Sequence, residues 1–141
     1  MIKIVDIETV YPVYLKISEF QDYLSIDDIK TRIGDKNLCL VHLQNDEITG
    51  FKIGYEKSNE EFYSWIGAVL PQYRRLGIAK ELLSFQEEWA CEQGYRSISV
   101  KSMNIYPAML NMLLNNGYRI CDITRGLTVD DHKIHFIKCL R

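Results

Sequence analysis

Arg74, Arg75, Gly77, Ala79 and Lys80 fall within seven residues of a 141-residue chain, and their types suit one chemistry, the holding of an anion. The surrounding run, Val69-Leu70-Pro71-Gln72-Tyr73-Arg74-Arg75-Leu76-Gly77-Ile78-Ala79, reads as a strand end, a tight loop and a helix start. At such a junction several backbone N–H groups have no helical partner and point outward beside the positive end of the helix dipole. Gly77 and the small Ala79 let phosphate oxygens approach the main chain without meeting a bulky side chain, while Arg74, Arg75 and Lys80 add mobile positive charge. The expected ligand is a pyrophosphate. The order of residues is neither a P-loop, which needs G-x-x-x-x-G-K-[ST], nor a dinucleotide fingerprint, which needs G-x-G-x-x-G. A positively charged helix cap without a ligand is the other reading, although a cap has no need of two arginines, a glycine and an alanine in these places.

The elements that must hold this loop follow from hydrophobic period. Residues 2–7 alternate apolar and charged side chains as a half-buried strand does. Residues 12–34 place Leu15, Ile17, Phe20, Tyr23, Leu24, Ile26, Ile29 and Ile33 mostly at helical spacings, with Asp27-Asp28 suited to a helix start. Residues 38–43 and 48–55 form a β-like pair around Gln44-Asn45-Asp46-Glu47, and residues 62–70 extend it as a third strand. After Pro71 the period changes: Ile78, Leu82, Phe85 and Trp89 follow helical spacing up to Gly94. A short strand at 97–100, a helix at 107–116 stopped by Gly117, and strands at 118–123 and 134–140 complete one domain over residues 1–141. A meander that passes into strand–helix alternation predicts an α/β fold, a mixed sheet covered on both faces.

Composition narrows the function. Seventeen basic and nineteen acidic residues give a net charge of −2, with 47% hydrophobic and 26% charged residues, an ordinary globular balance without the basic excess of a nucleic-acid wrapper. No run is long and apolar enough to span a membrane, and Asp6 interrupts the N-terminal apolar run that a signal peptide requires, so no nucleic acid or membrane partner and a cytoplasmic location are expected. Cys39, Cys91, Cys121 and Cys139 form no C-x-x-C pair and are expected to be reduced packing residues. His42, His132 and His135 are too scattered to propose a metal site.

Arg74-Arg75-Leu76-Gly77-Ile78-Ala79 fills every specified position of [RQ]-x-x-G-x-[GA], the signature with which the GNAT superfamily of acetyl-CoA-dependent N-acetyltransferases binds the CoA pyrophosphate. The motif follows a strand ending Val69-Leu70-Pro71, opens an amphipathic helix, and is followed by a strand, a helix and Gly117-Tyr118, which looks like the closing Gly-Phe/Tyr pair of that family. The resemblance covers about residues 38–123. It implies a mixed, mostly antiparallel sheet of six to seven strands with helices on both faces, acetyl-CoA as co-substrate, a primary-amine acceptor on a small molecule or peptide, and the possibility of a homodimer. Carried over residue by residue, it implies that the main chain of Gly67 and Val69 runs beside the pantetheine arm and that the amides from Arg75 through Leu76, Gly77, Ile78 and Ala79 to Lys80 hold the pyrophosphate, with Asn104 touching the arm. Asn104 departs from the usual spacing, standing thirteen residues before Gly117 instead of eleven. A second departure is chemical: many relatives carry a thiolate-protonating tyrosine four residues before the glycine, where this chain has Leu113.

The chemistry so implied is direct attack of a neutral amine on the thioester in a ternary complex. Val69 N–H is the expected oxyanion donor, Glu56 or Glu61 the base acting through water, and Tyr106 the replacement acid, with Tyr118 behind it. Either carboxylate also reads as a solvated hairpin-end charge and either tyrosine as a structural one. Tyr55, Trp65 and Tyr63 are expected to line the acceptor pocket or the core, and Glu19 and Asp22 to make an acidic entrance for a cationic amine. Loss of the tyrosine leaves a different class open, a non-catalytic acetyl-CoA sensor.

Overall fold

The computed structural model describes residues 1–20 and 22–140. Strand β1 (Ile2–Val5) is shorter than its alternation suggests, because Asp6 stops it and caps helix α1 (Ile7–Tyr14) instead. The Asp6 carboxylate accepts the Thr9 N–H at 3.0 Å and its hydroxyl at 2.8 Å, so Ile7 enters the core from a helix and not from a strand. The helical segment expected over residues 12–34 is therefore two helices and a linker, and Gln21 within it lies outside the described residues. The described linker residues between the two helices are held by tyrosines: Tyr11 O–H donates to Leu24 O at 2.8 Å, Leu24 N–H donates to Tyr14 Oη at 2.9 Å, and Tyr23 O–H donates to Ile17 O. Helix α2 (Ile26–Ile33) starts at Ser25, whose hydroxyl accepts the Asp28 N–H, and Asp27 and Asp28 occupy its first turn as their charge favours.

Strands β2 (Asn37–Gln44) and β3 (Glu47–Glu56) join through Asn45 and Asp46, both at positive φ (52° and 65°), the two-residue turn whose twist matches a hairpin. Strand β4 (Glu61–Val69) continues the meander, followed by α3 (Ile78–Glu92), β5 (Ser97–Met103), α4 (Pro107–Asn115), β6 (Arg119–Thr124) and β7 (Lys133–Cys139). The seven-stranded sheet has the order β1-β2-β3-β4-β5-β7-β6, and β4–β5 is its parallel pair among antiparallel ones. Helices α1 and α2 cover one face over Val41, Phe51, Ile53 and Leu70; α3 and α4 cover the other over Leu38, Leu40, Phe62 and Phe136. The mixed, two-faced sheet expected from the sequence is thus present.

Two features of β4 position the site. Ile53 pairs with Ile66 and Gly54 with Ser64, so Trp65 is an extra residue, a β-bulge. Pairing of β4 with β5 runs from Glu61↔Ser97 to Ser64↔Val100 and stops there, although both strands continue. The bulge also reverses the strand's facing. Phe62 packs toward α3, whereas beyond the bulge Ile66, Ala68 and Leu70 pack toward α1 and α2, and Val69 packs toward α3.

None of the four cysteines forms a disulfide among the described residues. Cys39 is buried, which raises its thiol pKa to about 11, and Cys91 is half-buried, but Cys121 and Cys139 are exposed, so the expectation of four packing cysteines fails for the last two. Both lie on β6 and the end of β7, the strands at the uncovered edge.

Candidate active site

Past Trp65 the main chain of β4 has one edge committed and one edge open. Leu70 N–H donates to Thr49 O at 2.8 Å, so by alternation the peptide groups of Gly67 and Val69 are directed away from β3, toward the side β5 has left. The strand then ends in a single 3₁₀ turn, Pro71–Tyr73, in which Tyr73 N–H returns to Leu70 O at 2.9 Å. Tyr73 O–H donates to Glu47 Oε2 at 2.7 Å and ties the turn to the β2–β3 hairpin.

The loop from Arg74 to Gly77 reverses the chain through two left-handed residues, Arg75 at φ 65° and Gly77 at φ 82°. Arg75 in this region is strained, as functional loops often are. A β-carbon on Gly77 would meet nothing within 4 Å, so it is the positive φ, not crowding, that calls for glycine in the free chain. Glycine also leaves the helix without a side-chain cap. The first bond within α3 is Glu81 N–H to Gly77 O at 3.1 Å, and the amides of Ile78, Ala79 and Lys80 precede it. Ile78 is buried and anchors the turn, while Arg74, Arg75, Leu76, Gly77, Ala79 and Lys80 are exposed around it. Glu81 would oppose an anion here, but His42 holds it: Nε2 lies 2.7 Å from Glu81 Oε2 and Nδ1 lies 2.7 Å from Thr49 Oγ1. The loop and the open edge of β4 are thus continuous, a helix start with amides left unbonded within α3 beside a strand edge unpaired with β5. These residues fit a CoA thioester, with its pyrophosphate on the turn and its arm along the strand.

Other expected site residues are placed differently. Arg74 is not free to follow a phosphate, since Nε donates to Val69 O at 2.9 Å and Nη1 lies 2.6 Å from Glu19 Oε2. Glu19 is thereby neutralised, and that hydrogen bond holds its carboxyl below the ordinary range, so the acidic entrance reduces to Asp22, which is exposed. Asn104 donates its amide to Val129 O at 2.9 Å and so braces the segment before β7. Tyr106 is the exposed N-cap of α4. Glu61 opens β4 eight residues before Val69, roughly 26 Å away along a strand. It accepts Ser99 O–H at 2.7 Å and faces Lys57 at 3.6 Å. Glu56, at the same end of the sheet, accepts Tyr95 O–H at 3.0 Å. Both carboxylates therefore stand at the end opposite to the loop, in structural bonds. Tyr118 is buried, donates its phenol to Glu87 at 2.7 Å and, through burial, ionises far above the ordinary range.

The aromatic residues do converge. Tyr55 lies edge-on to Trp65 (5.8 Å) and to Tyr63 (5.4 Å), and Arg32 of α2 sits 4.1 Å over the Trp65 ring with its Nε donating to Tyr55 Oη. Lys101 Nζ lies 5.5 Å from the Tyr63 ring. The sheet around Tyr55, Tyr63 and Trp65 is therefore aromatic with Arg32 and Lys101 beside it, and Glu61 and Asp122 line the same cleft as Tyr63 and Lys101.

Sequence reasoning passed over Lys52. It is buried on the α3 side of β3, opposite Gly67, and burial lowers its ammonium pKa to about 8, with Glu87 the opposing influence. The signal was available, a lysine between Gly50 and Gly54 in an otherwise apolar strand. Ser64 Oγ and both amide atoms of Gln86 are buried nearby without a hydrogen-bond partner.

Residues 3–118 match the acetyltransferase (GNAT) family. No curated protein matches the sequence. Among solved structures, the ribosomal-protein-S18-alanine N-acetyltransferase of Escherichia coli superposes with a TM-score of 0.86 at 18% identity, covering 99% of this chain and 93% of that one. A GNAT family acetyltransferase from Elizabethkingia anophelis with acetyl-CoA bound gives 0.79 at 18% identity, over 99% and 97% of the two chains. An IAA acetyltransferase from Bacillus cereus gives 0.81 at 20% identity, over 99% and 98%. At these identities the likeness is one of fold.

Proposed function

Because the chain belongs to the GNAT acetyltransferase family, we propose that it transfers an acetyl group from acetyl-CoA to a primary amine by direct attack in a ternary complex. The observation that carries this reading is the continuity of an uncapped helix start, at Gly77, with the unpaired edge of β4 at Val69 and Gly67. The amides of Arg75 to Lys80 would receive the pyrophosphate, and the Gly67 and Val69 peptide groups would align the arm as an added strand does. Bound acetyl-CoA supplies the activated acyl group. This chain supplies alignment, worth several kcal/mol in such reactions, and a fixed oxyanion donor in Val69 N–H. The acceptor would approach over Trp65, Tyr55 and Tyr63, and the flanking Arg32 and Lys101 favour an acceptor whose amine travels with a carboxylate or another anionic group. Within the described residues no helix is long and apolar enough to cross a membrane, consistent with an enzyme working on dissolved substrates.

Gly77→Glu tests the reading. A carboxylate aimed at the amides of α3 should abolish acetyl-CoA binding by calorimetry while cooperative unfolding persists, since space around Gly77 is open. Unchanged affinity would remove the loop from the site. The second reading, an acetyl-CoA sensor, is favoured by Leu113, fully buried where many relatives have their acid. Thiol release over a panel of amines separates the two, because a sensor binds acetyl-CoA and releases none.

A further inference from the structure

Lys52 has no hydrogen-bond or ion-pair partner for its side-chain nitrogen among the described residues, and only 6% of the residue is exposed. An ammonium so placed carries a desolvation cost that the charge of Glu87 offsets only in part, and a buried charge of this kind is a candidate for function. Its side chain lies across Gly67: a β-carbon built there would stand 3.3 Å from both Cγ and Nζ of Lys52. Gly67 belongs to the open edge of β4, beyond the last β4–β5 pair at Ser64. The bare α-carbon of Gly67 thus leaves room for Nζ over the strand that borders the open edge, on the face that Leu113 of α4 also closes.

We propose that Lys52 is a catalytic residue, the proton donor to the departing CoA thiolate, in place of the tyrosine that Leu113 replaces. The proposal rests on the acetyl-transfer reading above. As the acceptor nitrogen bonds the thioester carbon and the C–S bond breaks, the electron pair leaves on sulfur and Nζ gives it a proton. The proton shed by the acceptor nitrogen goes to solvent, and Lys52 is recharged from solvent. The groups facing Nζ leave it cationic. Glu87 of α3 is the carboxylate that acts on it, and Glu87 is already bound by Tyr118 O–H at 2.7 Å and Lys138 Nζ at 3.0 Å. Leu40 of β2 and Gly67 of β4, its cross-strand partners, are uncharged, and the next residue on that side of β2, His42, is engaged with Glu81 and Thr49. With a pKa of about 8, Lys52 is charged at neutral pH and a better acid than a surface lysine.

Lys52→Met, with Lys52→Gln as a second variant should the first misfold, tests this in two ways. In turnover, kcat should fall about 100-fold or more with acceptor KM and acetyl-CoA affinity little changed, and the decline of kcat above about pH 8 should vanish. Independently of turnover, the ultraviolet thiolate absorbance of bound CoA reports the ionisation of its sulfur. A neighbouring ammonium should lower that pKa by about one unit or more relative to the variant. Equal titrations in wild type and variant, or an unchanged kcat, would overturn the role of Lys52. A wild type that binds CoA and shows the shift yet acetylates no amine would refute acetyl transfer while leaving the lysine–sulfur contact standing, and so would retire Lys52 as a donor in catalysis.

Discussion

Lys52→Met should make the protein more stable, not less. In the unfolded chain a lysine keeps its proton up to about pH 10.5, whereas in the fold burial lowers the value to about 8. Between these values the unfolded state binds more protons, so wild-type stability rises with pH across that window, and below about pH 8 the full penalty applies. The interval of about 2.5 pH units corresponds to roughly 3 kcal/mol at 1.36 kcal/mol per unit. Methionine has similar length, is flexible enough to lie across Gly67, and carries no charge. The variant should therefore gain about 3 kcal/mol at pH 7, on the order of 10 °C in Tm for a chain of this size. The gain should shrink toward zero as pH rises to about 10.5. The phenols of Tyr63 and Tyr95, both pushed up to about 12 by burial, also make stability pH-dependent at the top of this range, but equally in both proteins, so they cancel in the difference. Urea unfolding of the pair at several pH values measures it. A variant less stable than wild type at pH 7, or a stability gap that ignores pH, would mean that Lys52 is not a buried, uncompensated ammonium, and the proton-donor role would lose its physical basis.

Gly54→Ala should be among the most damaging single-methyl additions in the chain. Its β-carbon would fall 2.5 Å from the Phe62 ring, 2.6 Å from the Gln86 amide and 2.8 Å from Tyr63 O, and a loss of about 3 kcal/mol by urea titration is expected, with wild-type stability the contrary result. Glu19→Gln combined with Asp22→Asn should leave the acceptor KM within about twofold, because Glu19 is spent on Arg74; stability should shift by no more than about 1 kcal/mol, the bridge being partly exposed. A large rise in KM for a cationic acceptor would restore the acidic entrance. Leu113→Tyr, which installs the residue many relatives carry, should cost about 1–3 kcal/mol, since Leu113 is fully buried in the core cluster that α3 and α4 form on the sheet. A tolerated tyrosine accompanied by a higher kcat would show that position 113 still faces the reacting sulfur.

Periodicity made most of the fold legible because most of its strands and helices obey one period each. Of the α3 stripe expected from spacing, Ile78 and Leu82 are buried and Phe85 and Trp89 half-buried, with Leu83, Gln86 and Ala90 buried beside them, and the Asn45-Asp46 turn follows from residues that accept positive φ. Residues 15–25 misled for a physical reason. Among the described residues there, Ile17 is buried and Phe20 and Leu24 half-buried beside an aromatic cluster centred on Tyr14, while Leu15 and Tyr23 are exposed, and tyrosine hydroxyls hold the chain, a tertiary arrangement that local spacing cannot distinguish from a helix. The shape of the Arg74–Lys80 loop was readable because its requirements are local: a positive φ, an exposed turn and a helix start. The bonds that Glu19, Glu56, Glu61 and Asn104 make were not, because each is committed to a partner distant in sequence, at separations that no local pattern encodes.

One added residue accounts for the placing of the remaining parts. Without Trp65 as a bulge, strict alternation from Phe62 would direct residues 66 and 68 toward α3 and turn Gly67 and Val69 toward α1. Lys52 would then lie against Ile66 and Ala68 instead of crossing a bare α-carbon, and its nitrogen would have no route to the groove. The same bulge increases local twist, and the β4–β5 ladder ends immediately before it. The opening of the sheet, the outward facing of the Val69 and Gly67 peptide groups and the seat of Lys52 are therefore consequences of a single register shift. Deleting one residue at position 65 should close the β4 edge and abolish acetyl-CoA binding even with the Gly77 loop intact; retained affinity in that deletion would separate the loop from the groove and refute their treatment as one site.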